Sequence, residues 1–262
     1  MDIYIPTYGR STRQVTWQGL PLDLQRRTLL VVQKREELKY IAMPIAVLPD
    51  DIRTIAATRE YIVHKLHPKL GTSDKLVMLD DDLKFQVRRE DDRGKFLEAN
   101  VKDKITLFSE IAAMLESYAH VGVVAREGGN RMLEDGECCR MMRVLAYYAP
   151  TLHKNKISFL RHGPKFTLED FDATLQLLSK GYPNLVLHRW CQGQGTSNES
   201  GGCSSYRTLA LHNKNAQLLA GAWPEFVRAV RKTTKTAWGG ATRTDVMVQW
   251  KKAFASAPGC AR

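Results

Sequence analysis

The apolar residues fall into two kinds of pattern over the first 190 positions. Short uninterrupted apolar runs predict strands that are buried on both faces, and they occur at 3–5, 28–32, 46–48, 76–79, 121–124, 144–148 and 185–188. Between them, helical character is predicted at 34–41, 52–66, 103–118 and 167–180. Strands that alternate with helices predict βαβ units, and therefore an α/β domain with a mostly parallel sheet flanked by helices.

The run at 76–79 is followed at once by three carboxylates, Asp80, Asp81 and Asp82. In open α/β sheets, ligands bind outside the carboxyl ends of the strands, which is where these side chains are expected. Three adjacent anions repel one another, so they need a compensating cation, and a hard divalent metal ion suits carboxylate oxygens. The structural alternative is a solvated acidic turn.

The composition changes after residue 190. Residues 192–205 are rich in Gly, Ser, Gln and Asn, which predicts a flexible loop, and residues 210–220, 224–232 and 244–254 are predicted to be helical. We therefore expect a catalytic body over residues 1–200, with a loop and a helical segment over residues 201–262 packed on it.

The formal charge of +11 is concentrated in that last segment. Residues 201–262 contain ten Lys or Arg against Glu225 and Asp245, a net charge of +8. A basic segment attached to an enzyme-like body predicts a polyanionic partner, with nucleic acid first, and a solubilising surface is the alternative.

Several classes of protein are disfavoured by the sequence. No apolar run approaches the roughly 20 residues of a membrane helix, and the first residues do not have the pattern of a signal peptide. Five cysteines without a C-x-x-C pair predict free thiols in the cytosol and no structural zinc site.

Four short pieces resemble, in their order, the nucleotide-sugar glycosyltransferases that have the GT-A fold. They are the opening strand and loop IYIPTYGR (3–10), the helix IAATR (55–59), the DxD element in LDDD (79–82) and the acidic pair in LEDFD (168–172). The resemblance covers about residues 1–190. It implies a GT-A-like, Rossmann-type domain with a basic helical C-terminal extension.

Within that fold, the chain most resembles the phage-encoded TET-associated glycosyltransferases, which modify hydroxymethylated pyrimidines in DNA. The basic segment and the stretch GGCSSYR (201–207) favour this subgroup. The resemblance implies transfer of a sugar from a nucleotide-sugar donor, a UDP-sugar first, to the hydroxyl of a 5-hydroxymethylpyrimidine. The expected acceptor is 5-hydroxymethylcytosine in DNA, the expected course is inversion, and the expected location is the host cytoplasm if the chain is phage-encoded.

A metal ion, Mn²⁺ or Mg²⁺, is expected to neutralise the leaving nucleoside diphosphate. Asp82 is predicted to bind it directly, and Asp80 to contact the metal or the donor ribose. Asp81 is placed in the donor site, with a structural position as the alternative. His188, at a strand end, is predicted to complete the metal site from the far side, although a lone histidine is more often a packed or surface residue.

Arg10 and Arg59 are expected to contact the donor diphosphate or ribose, because guanidinium groups form bidentate pairs with phosphate. Pro6 and Thr7 are expected to shape the base pocket through their backbone. The alternative for both arginines is an ordinary surface position.

Asp170 is the predicted general base, which takes the proton from the attacking hydroxyl. Its neighbours Glu169 and Asp172 are expected to raise its pKa by repulsion between like charges. Carboxylates at the start of a helix can instead serve only to complement its dipole.

The acceptor is expected to meet arginines and aromatic rings. Trp190 or Tyr206 is predicted to stack on an extruded base. The arginines predicted to contact DNA phosphates are Arg126, Arg131, Arg140, Arg143, Arg161 and Arg207. For each of them a solvated basic surface is the alternative.

Three other functions fit parts of the pattern. A GT-A glycosyltransferase with a glycan, lipid or protein acceptor would give the basic segment no role. A non-enzymatic nucleic-acid-binding protein would make the aspartates structural and would bind no nucleotide sugar. A metal nuclease would leave the opening loop at residues 6–10 without a function.

Overall fold

The computed structural model describes residues 1–127, 132–194, 201–233 and 240–259. Its strands are β1 (Asp2–Thr7), β2 (Thr28–Gln33), β3 (Ile45–Leu48), β4 (Lys75–Leu79), β5 (Leu83–Arg88), β6 (Phe96–Glu98), β7 (His120–Ala125), β8 (Gly136–Glu137), β9 (Val144–Tyr148), β10 (Asn184–Gln194), β11 (Val227–Thr233) and β12 (Thr242–Val248). Its helices are α1 (Val15–Gly19), α2 (Leu22–Gln25), α3 (Ile55–Tyr61), α4 (His67–Leu70), α5 (Val101–Met114), α6 (Ala149–Lys154), α7 (Glu169–Leu178), α8 (Leu209–Ala222) and α9 (Trp250–Ala255). A π-helical turn, Ile62–Leu66, joins α3 to α4, and a 3₁₀ helix, Lys34–Tyr40, follows β2.

The main sheet has the strand order β3-β2-β1-β4-β9-β7-β10-β5-β6, with β8 paired to β10. Strands β1 to β4 are parallel to one another, and β7 is parallel to β10. Strand β9 lies antiparallel between β4 and β7, so β7 and β10 run in the same direction as β4. The predicted α/β architecture, a mostly parallel sheet flanked by helices, is confirmed.

Strand β4 shows why the apolar runs are uninterrupted. Successive side chains of a strand point to opposite faces of the sheet. Val77 and Leu79 pack into the apolar layer that contains Leu107 of α5, whereas Leu76 and Met78 pack into the layer on the other face. Because both faces are covered, every position of the strand interior is apolar.

The helix boundaries follow local signals. Asn100 caps α5 by accepting a hydrogen bond from the backbone N–H of Asp103, and the Asp103 carboxylate accepts one from the Asn100 N–H in return. Helix α7 is followed by Gly181 at φ +86°, as the Gly-Tyr-Pro sequence predicts. Within the described residues, no helix is both long and apolar enough to cross a bilayer.

The C-terminal segment differs from its prediction. Residues 224–232 and 244–254 were expected to be helical, but β11 and β12 form a separate antiparallel hairpin, with Val227 opposite Val248 and Thr233 opposite Thr242. The helix prediction is confirmed only at the end of the second range, where α9 begins at Trp250. The alternation of Thr242, Thr244 and Val246 with polar or longer side chains has the period of a strand, and β-branched residues favour strands. Helix α8, which was expected at 210–220, is present as Leu209–Ala222.

A third apolar cluster attaches this segment to α7. It joins Phe171 and Leu175 of α7 to Leu219 of α8, Val227 of β11 and Val246 of β12. The segment therefore packs against the helix whose first turn carries the acidic pair.

Candidate active site

A cavity of about 480 Å³ lies where β1 and β4 end, α7 begins and the C-terminal hairpin approaches. Its charged lining residues are Arg10, Arg59, Asp80, Asp81, Asp82, Arg140, Arg143, Glu169, Asp170, Arg207, Lys232, Arg243 and Asp245. The carboxyl ends of parallel strands are the usual position of ligand sites in α/β sheets. We call this cavity the cleft.

Arginine side chains of the protein compensate the negative charge of the aspartates after β4. Arg10 Nη1 contacts the Asp81 carboxylate and lies 3.0 Å from Asp82 Oδ2. Thr7 Oγ1 donates a hydrogen bond of 2.7 Å to Asp81 Oδ2. Asp81 is therefore buried and holds Arg10 and the end of β1, whereas Asp80 and Asp82 keep carboxylate oxygens at the cleft.

The turn that carries the aspartates is fixed by Thr16 of α1. Its Oγ1 donates to the Asp80 carbonyl at 2.6 Å and accepts from the Leu83 N–H at 2.7 Å. Its own N–H donates to the Asp81 carbonyl at 3.1 Å. These bonds satisfy the backbone of a turn at the base of the cleft, and the sequence contained no signal for them.

The opening loop is held in place by residues that were not predicted to belong to the site. Gly9 has φ +70°, and its N–H donates to Glu36 Oε2 at 2.6 Å. Gln14 Nε2 donates to Thr7 Oγ1 at 2.9 Å and to the Arg10 carbonyl at 2.8 Å. Glu36 and Gln14 were not predicted from the sequence, because their partners lie on other elements.

Arg59 connects the two acidic parts of the cleft. Its Nη2 lies 3.0 Å from Asp80 Oδ1, and its Nη1 lies 2.6 Å from Glu169 Oε1. Both Arg59 and Glu169 are buried, and among the described atoms Arg59 Nε and Glu169 Oε2 lack hydrogen-bond partners. A buried ion pair with unsatisfied atoms costs desolvation energy, so we do not expect this pair to add much to the stability of the fold. Its position in the cleft favours a role in holding a ligand.

Asp80, Glu169 and Asp170 of the cleft have raised pKa values. Enclosure by the protein raises the pKa of Asp80 to about 6, with repulsion from Asp82 and Asp81 adding to the shift and Arg59 opposing it. Burial likewise raises the pKa of Glu169 and that of Asp170, and Arg59 opposes both shifts. Raised carboxyl pKa values in a cleft are typical of groups that exchange protons.

Asp170 and Asp172 have different surroundings although both lie in the first turn of α7. Asp170 lines the cleft, and its Oδ1 accepts a hydrogen bond of 2.9 Å from the Phe171 N–H. Asp172 is buried outside the cleft, where it accepts from Trp223 Nε1 at 2.7 Å and from Gln176 Nε2 at 2.8 Å. The expectation that Asp172 acts beside Asp170 is therefore replaced by a structural role for Asp172.

His188 is not brought to the aspartates. It lies on β10, six residues before Gln194, the residue of β10 that lines the cleft beside Arg143. At about 3.3 Å per residue, that is roughly 20 Å along the strand. The His188 ring is buried and hydrogen-bonds the Val186 carbonyl at 2.9 Å. His188 therefore does not complete a metal site with the aspartates, as was expected.

Trp190 also differs from its expected role. It is fully buried in the core, and its Nε1 donates to Glu110 Oε2 at 2.7 Å. A ring with no exposed face cannot stack on an extruded base. Arg189 is exposed, whereas Trp190 and the next residue, Cys191, are both buried, and the sequence did not predict this burial of Trp190.

The predicted acceptor arginines divide into two groups. Arg140, Arg143 and Arg207 line the cleft, and Arg140 stacks over the Phe171 ring at 4.7 Å. Arg126 lies outside this lining and donates to Gln86 Oε1 at 2.9 Å. Arg161 is turned to the buried Asp172, at 3.2 Å. Arg131 lies outside the described residues.

A segment that begins at Gly201 contacts the opening loop beside the cleft. The Gly202 N–H donates to the Tyr8 carbonyl at 2.9 Å, and the Tyr206 hydroxyl accepts from the Ile55 N–H at 3.2 Å. Tyr206 lines a smaller cavity beside the cleft together with Pro6, Thr7, Tyr8, Val31, Gln33, Leu48 and Thr58. The structure thus places Tyr206 next to the opening loop, away from the expected acceptor side.

The fit of a metal ion depends on Asp80 and Asp82. Among the described residues, no group of three or more His, Cys, Asp and Glu side chains could hold a metal by itself. Mg²⁺ is usually held by one or two carboxylates together with phosphate oxygens of a substrate. The two carboxylates at the cleft fit an ion that arrives with a diphosphate.

Comparison with known proteins gives three results. The model of the TET-Associated Glycosyltransferase family matches residues 1–202. The chain is 25% identical over 240 residues to the Beta-glucosyl-HMC-alpha-glucosyl-transferase of Enterobacteria phage T2, and 25% identical over 245 residues to the enzyme of the same name in Enterobacteria phage T6. Each alignment covers 87% of this chain and 83% of the relative.

A solved structure, a putative nucleotide-diphospho-sugar transferase from Desulfovibrio desulfuricans G20, aligns with a TM-score of 0.41 and 11% identity. The alignment covers 84% of this chain and 98% of the other.

Proposed function

The chain belongs to the TET-associated glycosyltransferase family and is therefore a glycosyltransferase that uses a nucleotide-sugar donor; we propose that it glycosylates 5-hydroxymethylcytosine in DNA. The observation that carries this proposal is the arrangement of the cleft. Asp80 and Asp82, which suit a diphosphate with its metal, share one cavity with Asp170, which suits an acceptor hydroxyl.

The donor lies on the side of the opening loop. Arg10 and Arg59 are the cations nearest the aspartates, so they meet the diphosphate or the ribose. The smaller cavity lined by Pro6 and Thr7 adjoins this point and receives the nucleobase. A UDP-sugar is the donor that we propose first.

Asp82 and Asp80 are the residues that would hold Mn²⁺ or Mg²⁺. When bound, the ion acts as a Lewis acid that neutralises the leaving diphosphate. Asp81 does not share this role, because Thr7 and Arg10 already occupy its oxygens.

Asp170 accepts the proton of the attacking hydroxyl. Burial raises its pKa, which makes its carboxylate a stronger base, and Arg59 and Arg140 nearby stabilise the charged form. The acceptor oxygen forms the new bond to the anomeric carbon as the bond to the diphosphate breaks, which inverts the configuration. The phage relatives are named for α-glucosyl transfer, which is retention if their donor is α-linked. The anomeric configuration of the product therefore tests the role of Asp170 directly. If an α-linked donor gives an α-linked product, Asp170 is not the general base of an inverting reaction.

The names of the phage relatives support a second acceptor, a glucose already attached to hydroxymethylcytosine. Its hydroxyl presents the same chemistry to Asp170 at a greater distance from the base. The cleft has room for both donor and acceptor sugars at about 480 Å³, so its volume does not separate the two acceptors.

The test is to incubate the protein with Mn²⁺, a panel of nucleotide sugars and three duplexes of one sequence that carry cytosine, hydroxymethylcytosine or β-glucosyl-hydroxymethylcytosine. Mass analysis of the nucleosides should show a hexose or pentose added to one of the modified duplexes, and none added to the cytosine duplex. No addition to any duplex, with transfer to a glycan, lipid or protein acceptor instead, would overturn the proposed acceptor.

A further inference from the structure

The C-terminal hairpin β11–β12 is a two-stranded sheet of its own. Its inner residues, Val227 and Val246, pack on α8, whereas Arg228, Arg231 and Met247 are exposed. The hairpin lies beyond residue 202, outside the part of the chain that the family model matches. Its positive charge suits a polyanionic partner.

The positive charge of the hairpin is only partly compensated. Asp245 lies 3.5 Å from Lys232 and 3.1 Å from Arg243, which leaves two cations sharing one carboxylate. Arg228 contacts Met247 Sδ at 3.6 Å, and among the residues that the structure describes neither Arg228 nor Arg231 has an ion-pair partner. The described hairpin therefore presents a net positive surface.

The hairpin leads from the open surface into the cleft. Lys232, Arg243 and Asp245 line the cleft, whereas Arg228 lies four residues from Lys232 along β11. At about 3.3 Å per residue, a polyanion that contacts Arg228 is roughly 13 Å from the wall of the active site. Seven residues make each strand roughly 23 Å long, about two-thirds of one turn of duplex DNA.

We propose that this hairpin docks duplex DNA by lying as a β-ribbon in the major groove, so that the target pyrimidine faces the cleft. A two-stranded ribbon fits the major groove, and the 5-substituent of a pyrimidine projects into that groove. Arg228 lies on the face of β11 that points away from the packed Val227, and Arg231 is exposed further along the strand, so both guanidinium groups are accessible to phosphates beside the groove. The proposal rests on the proposed DNA acceptor and adds the element that recognises it.

The test compares Arg228→Gln/Arg231→Gln with Arg26→Gln/Arg27→Gln. The control removes two exposed arginines near the start of β2, at the end of the parallel strands opposite the cleft. Anisotropy with an unmodified duplex is measured over a range of salt concentrations. The hairpin variant should bind about tenfold more weakly at moderate salt, and its log–log salt slope should be shallower by about two, which is roughly 0.9 for each phosphate that is no longer neutralised.

Three further measurements make the outcome decisive. Affinity for a nucleoside diphosphate with Mn²⁺ should be unchanged in both variants, which shows that the donor side is intact. Arg228→Lys/Arg231→Lys keeps the charge, so it should retain most of the salt slope, and a loss equal to that of the Gln variant would overturn the phosphate role. An unchanged slope in the Gln variant, or an equal change in the control, would also overturn the proposal. Neither result would affect the nucleoside analysis that tests the acceptor.

Discussion

Replacing Asp80 with asparagine should stabilise the free protein, and the gain should grow as the pH rises. Enclosure raises the pKa of Asp80 to about 6, and the neighbouring Asp82 and Asp81 add to the shift. A carboxyl with a higher pKa in the folded chain binds its proton more tightly there. Its favourable contribution is complete below the unfolded pKa, about 3.9, and is lost as the pH rises through the folded pKa. Asparagine stays uncharged throughout this window.

The size of the effect follows from the shift. A difference of about 2 pKa units corresponds to ~3 kcal/mol of unfolding free energy. Because 32% of the Asp80 side chain is exposed, solvent screens part of this energy. We expect the stability difference between Asp80→Asn and the wild type to grow by about 1–2 kcal/mol between pH 4 and pH 7.5. Arg59 keeps its contact with Glu169 in the variant, so it does not become an isolated buried charge.

Urea unfolding of both proteins at constant ionic strength measures this difference. Burial lowers the pKa values of His67, His120 and His212, which destabilises both proteins alike as the pH falls. The relevant quantity is therefore the difference in unfolding free energy between the two proteins, not the pH dependence of either protein alone. Asp23→Asn, on the exposed surface of α2, is the matched control for the exchange of aspartate for asparagine. A difference for Asp80→Asn that is constant or shrinks with pH would refute the reasoning.

Three further substitutions test the cleft, and a fourth tests the packing behind it. Asp82→Ala should abolish metal-dependent donor binding and leave the fold intact, and calorimetry with a nucleoside diphosphate and Mn²⁺ would contradict the metal role if affinity were unchanged. Asp170→Asn should keep near-normal donor affinity and lose about 10²-fold in turnover, whereas near-wild-type turnover would move the base elsewhere. Asp172→Ala should instead cost about 2–4 kcal/mol of unfolding free energy, because Trp223 Nε1 and Gln176 lose a buried acceptor; unchanged stability in denaturant would contradict its structural role. Gly201→Ala should weaken donor binding, since φ is +100° and its Cβ would lie 2.9 Å from the Tyr8 carbonyl oxygen; equal donor affinity by calorimetry would show that this segment is not part of the donor site.

The elements whose signals are local could be predicted from the amino-acid sequence. The apolar runs identified β1, β2, β4, β7 and β9, because a strand that is covered on both faces has no polar interior positions. The same logic placed Asp80 and Asp82 at the carboxyl end of a parallel strand and Asp170 in the first turn of a helix, and the structure brings all three to one cleft.

Which side chains share an environment depends on how distant elements pack, and the sequence pattern does not contain this information. Asp170 and Asp172 are two residues apart, yet the helix turns one toward the cleft and the other toward Trp223. Trp190 was an attractive stacking ring in the sequence, but the face of β10 on which it lies is set by its pairing with β5 and β7. The periodicity of the sequence indicates that a residue is buried but not which residues bury it, because those residues come from distant parts of the chain.

The same reason accounts for the hairpin. Residues 224–232 and 244–254 each contain enough apolar residues for a short helix, and neither strand is stable without the other. Pairing of the two strands buries Val227 and partly buries Val248 in the apolar cluster that contains residues of α7 and α8. Local propensity was overridden by contacts between segments that the sequence separates by about 20 residues, and it is this override that brings Lys232 and Arg243 to the cleft.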